Sequence, residues 1–367
     1  MKARLAHLGI SGGFIAVTTL FLVWGFISSN NDPLIVTLRA VFALTYSQGL
    51  LIQMVSFLAN GLVSLPAASL GNRVGPVYAI LIALGVMIGA CTLIQLAIGL
   101  QSYPAILLAM FVMAVGITGL QVAANPLAAV LGPRPTSHFR LNFAQTFNSL
   151  GVVLGVHYGS SVMLGEGVIA RSQGAIEAPA QRAEVLLAVS HAFLVMGALL
   201  AAMILFIWMQ RRRITAAAGS LEKTDASVLD ALRSPWAIFG AVAIGLYVGA
   251  EVSIGSVMIN FLHQPGVLGL PFEEGGRYLA NIYWGGALAG RFIGSILLTR
   301  IPAPRLLASV ALLAALLCLI AVSGSGPVAG FAALSVGLCN SVMFPTIFTI
   351  TLERSGVSES STSGFLC

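Results

Sequence analysis

Phe14-Ile15-Ala16-Val17-Thr18-Thr19-Leu20-Phe21-Leu22-Val23-Trp24-Gly25-Phe26-Ile27-Ser28-Ser29-Asn30-Asn31-Asp32-Pro33-Leu34-Ile35-Val36 is an apolar run long enough to cross a bilayer, yet it holds an acid, followed at once by proline. A carboxylate at such a depth costs roughly 2.5–3.5 kcal/mol on insertion scales, so it faces a cavity or a partner rather than lipid. Asp32 is therefore the first candidate functional residue. Pro33 lacks a backbone donor and clashes with the preceding turn, which predicts a kinked or unwound helix and freed carbonyls beside the acid. Such breaks are tolerated at membrane depth only where the backbone lines a cavity or is buried in protein.

Charged residues make up 8% of the chain, against about 25% in soluble domains, and 58% of residues are hydrophobic. So few charges cannot cover a water-soluble surface. The apolar segments divide into about ten of spanning length, roughly 20 residues each, which predicts an all-α polytopic membrane protein. Alternating period-2 strands of the barrel type are absent. Cys91, Cys318, Cys339 and Cys367 show no paired spacing and read as packing residues. The net charge of +6 has its source in membrane-flanking loops and calls for no nucleic-acid partner. The N-terminal Met1-Lys2-Ala3-Arg4 before an apolar run resembles a secretory leader, but without a small-x-small cleavage site it reads as the start of a first span.

The expected spans are 11–38, 47–70, 77–99, 103–132, 141–165, 184–209, 236–262, 277–299, 304–323 and 328–352. With the N-terminus inside, Lys2, Arg4, Arg73, Arg134, Arg140, Arg211, Arg212, Arg213, Lys223, Arg233, Arg300, Arg305 and Arg354 fall on the cytoplasmic side. Only Arg39, Arg171, Arg182 and Arg277 fall outside, which satisfies the positive-inside rule. The chain thus reads as a multi-pass protein of a bacterial inner membrane with a cytoplasmic N-terminus. Residues 1–209 form an N-terminal six-helix bundle, 210–235 a cytoplasmic linker, and 236–367 a C-terminal bundle of about four helices. Asp32 precedes Pro126 by the same interval that Glu251 precedes Pro345, and each acid sits in the first span of its half. Repeated halves are how many secondary transporters are built, with the site at the midplane between them. By that symmetry the C-terminal bundle is expected to lack two spans, the eleventh beginning near Ser361.

Several stretches resemble one family, the fucose-galactose-glucose:proton symporters of the major facilitator superfamily. They are Trp24-Gly25 with Asn31-Asp32-Pro33-Leu34-Ile35; Leu120-Gln121-Val122-Ala123-Ala124-Asn125-Pro126; Arg140-Leu141-Asn142-Phe143-Ala144-Gln145-Thr146-Phe147-Asn148-Ser149-Leu150-Gly151; Tyr247-Val248-Gly249-Ala250-Glu251; Tyr283-Trp284-Gly285-Gly286 with Gly290-Arg291-Phe292-Ile293-Gly294; and Met343-Phe344-Pro345-Thr346-Ile347-Phe348. The resemblance implies two pseudo-symmetric six-helix bundles that import a monosaccharide by alternating access with a proton. Fucose, galactose, glucose and N-acetylglucosamine are all open as substrates. Asp32 matches the family's first-helix acid, which works in proton coupling and sugar binding, and Gln145 matches a glutamine near the sugar. Two departures matter. Fucose-type members carry a glutamate where this chain has Gln121, and the superfamily's usual Asp-Arg loop reads Gly71-Asn72-Arg73-Val74-Gly75 here, which puts its charge-dipole latch in doubt.

Sugars require polar partners for vicinal hydroxyls and a flat apolar face for their C–H side. The candidate substrate-binding set is Trp24, Asn31, Asp32, Gln121, Asn125, Asn142, Gln145, Asn148, Tyr247, Glu251, Asn281, Trp284 and Asn340. Each intramembrane amide also has a second reading, interhelical hydrogen bonding worth about 0.6 kcal/mol on average. Gln121 and Asn125 share a helix face, as do Gln145 and Asn148. Burial favours the neutral form of a carboxyl, which makes Asp32 and Glu251 the proton-coupling candidates. Glu251 either takes over part of the role vacated at Gln121 or pairs with Arg291. No cofactor or metal is called for. Sodium remains an alternative coupling ion, because Asp32 with freed carbonyls suits either cation.

Gly151, Gly155 and Gly159, and Gly286, Gly290 and Gly294, recur at four-residue steps and suit either moving or static helix contacts. His157 and His191 read as proton relays or as structural histidines. An intramembrane enzyme would need a nucleophile-base or metal motif, and no H-E-x-x-H or G-x-S-x-G is present. A non-transporting sugar sensor or remnant is the remaining alternative. The protein is expected to act as a monomer in the bilayer.

Overall fold

The computed structural model describes residues 11–163, 179–218 and 228–367. Helix α1 (Gly12–Ser28) starts on a Ser11 cap whose Oγ accepts from the Phe14 N–H at 3.2 Å. It stops at Ser29-Asn30, and α2 (Asn31–Phe42) continues the same span. Thr45 and Gln48 form a reciprocal capping box at the head of α3 (Tyr46–Val74). Gly75, at φ +87°, makes the turn that an L side chain would strain, and Pro76 then opens α4 (Pro76–Gly99). Helices α5 (Tyr103–Val130), α6 (Ser137–Met163) and α7 (Pro179–Ala218) complete the first half.

The second half begins with α8 (Pro235–His263), capped by Ser234. Its next span is composite: α9 (Phe272–Tyr278), a wide π turn over Leu279–Trp284, and α10 (Gly285–Leu297). Helix α11 (Ala303–Ser323) follows, then α12 (Gly326–Asn340) and α13 (Met343–Arg354), which are separated at Ser341-Val342. Helix α14 (Glu359–Leu366) starts where the symmetry of the halves places an eleventh span.

Among the described residues, all ten expected spans fold as helix, and eight helices are both long and apolar enough to cross a membrane by composition. Helix α6 and the α9–α10 span are absent from that set, because α6 carries Asn142, Gln145, Asn148 and Ser149 and α9–α10 carries Arg277, Asn281 and Arg291. The linker also differs from expectation: α7 runs on to Ala218, past 209. Its sequence Trp208-Met209-Gln210-Arg211-Arg212-Arg213 has no helix breaker.

Inside the first half, Phe14, Phe21, Leu84, Met87, Met110 and Met196 belong to one buried cluster. A second cluster around Met258, Leu262, Tyr283, Leu334 and Val336 centres the other half. Met54, Phe57, Leu58, Leu62, Phe239, Leu246, Leu312 and Leu319 are left exposed, the surface that a hydrocarbon solvent favours. Cys91, Cys318, Cys339 and Cys367 are free, the first and third buried.

The two glycine ladders join helices within a half. A side chain at Gly151 would strike the Leu22 carbonyl of α1, and one at Gly155 the Phe26 carbonyl and Ser29 Oγ. Gly290 and Gly294 similarly admit Ser341, Leu338 and Val342 at the α12–α13 junction. In this conformation both ladders are close-packed contacts between helices of the same half. Gly155→Val is expected to destabilise the detergent-solubilised protein by about 1–3 kcal/mol or more, read as a lower melting temperature. Gly89→Val, at a position with nothing within 4 Å, should leave melting nearly unchanged.

Candidate functional site

Pro33 and Pro345 each follow a broken turn, at Ser29-Asn30 and Ser341-Val342 respectively, whereas α5 runs unbroken through Pro126. The carbonyls before the first break are taken up locally. Ser29 Oγ donates to Phe26 O at 3.0 Å, Asn30 Nδ2 to the same oxygen at 2.6 Å, and Ser28 Oγ to Gly25 O at 3.3 Å. Asp32 lies in the first turn of α2; its side chain is outside the described residues.

The amides of α5 and α6 are mostly engaged in the protein. Gln145 Nε2 donates to Asn125 Oδ1 at 3.3 Å, and Asn148 Nδ2 to Phe21 O of α1 at 3.2 Å. Asn142 Nδ2 donates to His138 O at 3.0 Å and reaches Thr346 Oγ1 of α13 at 3.4 Å. Asn125 and Asn142 are fully buried, and Gln145 and Asn148 nearly so. Trp24 is also buried, its ring 5.3 Å from that of Phe21. In this conformation Asn142 and Asn148 act as helix-to-helix links, and Gln121 is half-buried. Asn31 instead lines a cavity of about 260 Å³ with Ser28, Gln53, Ser56, Asn60, Met110, Met113, Ala114 and Ile117. The family-like motifs pointed to none of its α3 residues.

In the second half, Glu251 is half-buried on the unbroken α8. Tyr283 is fully buried; its hydroxyl accepts from Asn340 Nδ2 at 3.1 Å and donates to the Glu251 backbone carbonyl at 3.5 Å. Trp284 stands edge-on to Tyr283, with ring centroids 5.1 Å apart, and is 46% exposed. Buried Tyr247 lies one turn before Glu251 and within electrostatic reach of Glu251, Arg291 and Tyr283. Asn281 does not join this group. It is exposed and lines a separate cavity of about 500 Å³ with Pro271, Glu274, Arg277, Tyr278 and Ile282, since residues two apart on a helix do not share a face.

Of the two alternatives for Glu251, the ion pair with Arg291 is not formed among the described residues. Arg291 is held elsewhere: Nε donates to Ser341 O at 3.1 Å, in the broken turn of its own half, and Nη1 donates to Ser149 Oγ of the other half. His157 and His191 are both exposed and stand outside this cluster.

At the end of the bundle that carries Arg73, Arg134 and Arg354, further links join the halves. Ser137 Oγ donates to a Glu353 carboxylate oxygen, His138 Nε2 lies 3.4 Å from the other, and His138 Nδ1 is 2.6 Å from Thr349 Oγ1. Asn72 Nδ2 donates to Ser361 Oγ at 3.2 Å, Ser360 Oγ to Ala68 O at 3.0 Å, and Ser363 Oγ to Val122 O at 2.8 Å. Gly71-Asn72-Arg73, which forms the last turn of α3 and not a loop, thus latches through an amide. Arg140, expected as a loop charge, is fully buried. It donates to Pro133 O at 2.8 Å, Thr136 Oγ1 at 2.6 Å, Gly132 O at 3.3 Å and Ala129 O, and so caps the C-terminal end of α5.

Two bundles clasped at one end, with polar groups between broken helices, are the architecture of a membrane carrier rather than an enzyme. Residues 9–366 match the Major Facilitator Superfamily, and the chain belongs to that family. It is 39% identical over 352 residues to a glucose/galactose transporter of Brucella abortus biovar 1 (strain 9-941), covering 96% of this chain and 82% of that one. It is 29% identical over 372 residues to the L-fucose-proton symporter of Escherichia coli (strain K12), covering 96% of this chain and 82% of that one. Among solved structures, the transporter FucP in the outward conformation superposes with a TM-score of 0.84 at 26% identity, over 98% of this chain and 88% of that chain.

The His138–Glu353 contact is half-exposed, so its loss should cost about 1 kcal/mol or less. The ratio of clasped to open forms would then change by at most about fivefold. In a His138→Ala/Glu353→Gln variant, spin labels at Arg134 and Glu359, which line one cavity at this end, should show a longer-distance population. An unchanged distance distribution would refute the clasp.

Proposed function

We propose that this chain is a proton-coupled importer of a monosaccharide of the fucose, galactose, glucose or N-acetylglucosamine class, working by alternating access. The observation that carries the reading is the state of Glu251. It sits at membrane depth with no cation within ion-pair distance among the described residues, while Arg291 nearby is held by Ser149 and Ser341. A carboxyl left without a counter-charge is a group that a proton can neutralise. Tyr247 and Tyr283 adjoin Glu251, and Trp284 and Asn340 contact Tyr283, a set of the aromatic and amide groups that sugars use. The similarity to a glucose/galactose transporter and to a fucose-proton symporter supports the substrate class.

The similarity to a fucose-proton symporter supports the proton as coupling ion; sodium is the second reading, because the carbonyl that Pro33 leaves without its N–H donor is that of Ser29, three residues before Asp32. We place the basic, clasped end in the cytoplasm by the positive-inside rule. On that placement the conformation faces outward, and import proceeds as the clasp opens and the opposite end closes.

Asp32→Asn should keep sugar binding and exchange but lose accumulation against a gradient; full accumulation in vesicles would rule out its coupling role. Glu251→Gln should lower the number of protons taken up per sugar. Proton uptake that is undiminished and normally coupled would remove Glu251 from the relay.

A further inference from the structure

We propose that the cavity bounded by α1–α2, α3 and α5 is a hexose subsite, and that Gln53 and Asn60 of α3 set which sugar the carrier prefers. The inference rests on the sugar-transport reading above.

Gln53, Ser56 and Asn60 are spaced i, i+3 and i+7, which puts them on one face of α3. The neighbouring faces carry exposed Met54, Phe57, Leu58 and Leu62, which suit lipid. Gln53 is exposed and Asn31 half-buried, and neither has a side-chain hydrogen bond among the described residues. An amide left open at membrane depth is stable only where it looks into water or onto a polar ligand. The α3 stripe is therefore a wetted wall, and Asn31 faces it across the same cavity.

The space suits a hexose. Its roughly 260 Å³ corresponds to about nine waters at ~30 Å³ each. Thr118 Oγ1 of α5 donates to Asn60 Oδ1, which fixes that amide against the helix opposite. Amide groups on two sides offer paired donors and acceptors to adjacent hydroxyls, while Met113 and Ile117 give an apolar surface for ring C–H groups. The position also matters: Asn31 adjoins Asp32 in the chain, so a sugar held here sits beside the proposed proton carrier. The cavity lies in the half of the bundle away from the clasped end, which is the half left open on our placement.

The test is concentration-dependent uptake of D-glucose, D-galactose and L-fucose into cells making the full chain, with expression matched and folding checked by melting in detergent. Gln53→Ala and Asn60→Ala should raise KM about tenfold or more for at least one sugar and change the order of preference, with the maximal rate much less affected. Met113→Trp, which fills the cavity from α5, should raise KM for all three. Gln95→Ala removes an amide that bonds Ser190 on the far side of the half, and it should leave KM unchanged. If the parent takes up these sugars and the three cavity variants keep its KM values and preference order, the subsite is refuted while the transport reading stands. If the parent neither binds nor moves any neutral sugar, the transport reading itself falls and the subsite with it.

Discussion

A guanidinium at membrane depth must be answered by something, and in this protein Arg291 is answered by oxygen atoms rather than by an acid. Its two contacts belong to different halves: a hydroxyl on α6 and a carbonyl exposed by the broken turn between α12 and α13. A neutral partner holds a cation more weakly than a carboxylate does, so the arrangement ties the halves together without locking them. It also leaves Glu251 without a paired cation among the described residues. The midplane link and the ionisable group are thus two consequences of one choice of partner. The clasp at the basic end adds hydroxyl, amide and imidazole contacts of the same modest strength.

Much of the architecture was legible in the sequence because a bilayer imposes simple rules. Length and hydropathy marked the spans, and Pro33 marked the break before α2 through its missing N–H. The four-residue glycine steps signalled close helix contact, although only coordinates show that α1 and the α12–α13 junction fill those grooves. Proline alone was an incomplete guide. Pro126 and Pro345 occupy matching places in the repeat, yet α5 passes through the first without interruption.

The site was less legible, for a physical reason. An amide in an apolar helix has the same appearance in sequence whether it faces a cavity or bonds a neighbouring backbone, and Asn148 and Asn142 turned out to do the latter here. Asn281 lines a different cavity from Tyr283 and Glu251 in this conformation, a difference of facing that residue type does not reveal. The Gln53, Ser56 and Asn60 stripe was visible as a period, but residue type alone does not reveal that its face opens onto space.

Helix α7 has a mechanical consequence. Its 40 residues extend about 60 Å at 1.5 Å each, near twice the ~30 Å hydrocarbon thickness, so the rod is longer than a crossing requires. Arg211 lies 4.0 Å from the Trp208 ring, which in turn meets Tyr78 of α4 edge-on, bracing the rod at its neck. Ile214 and Ala218 near its end are buried in the core of the first half, with Ile214 against Gly13 of α1, so the last turns of the rod are anchored to the first half and move with it.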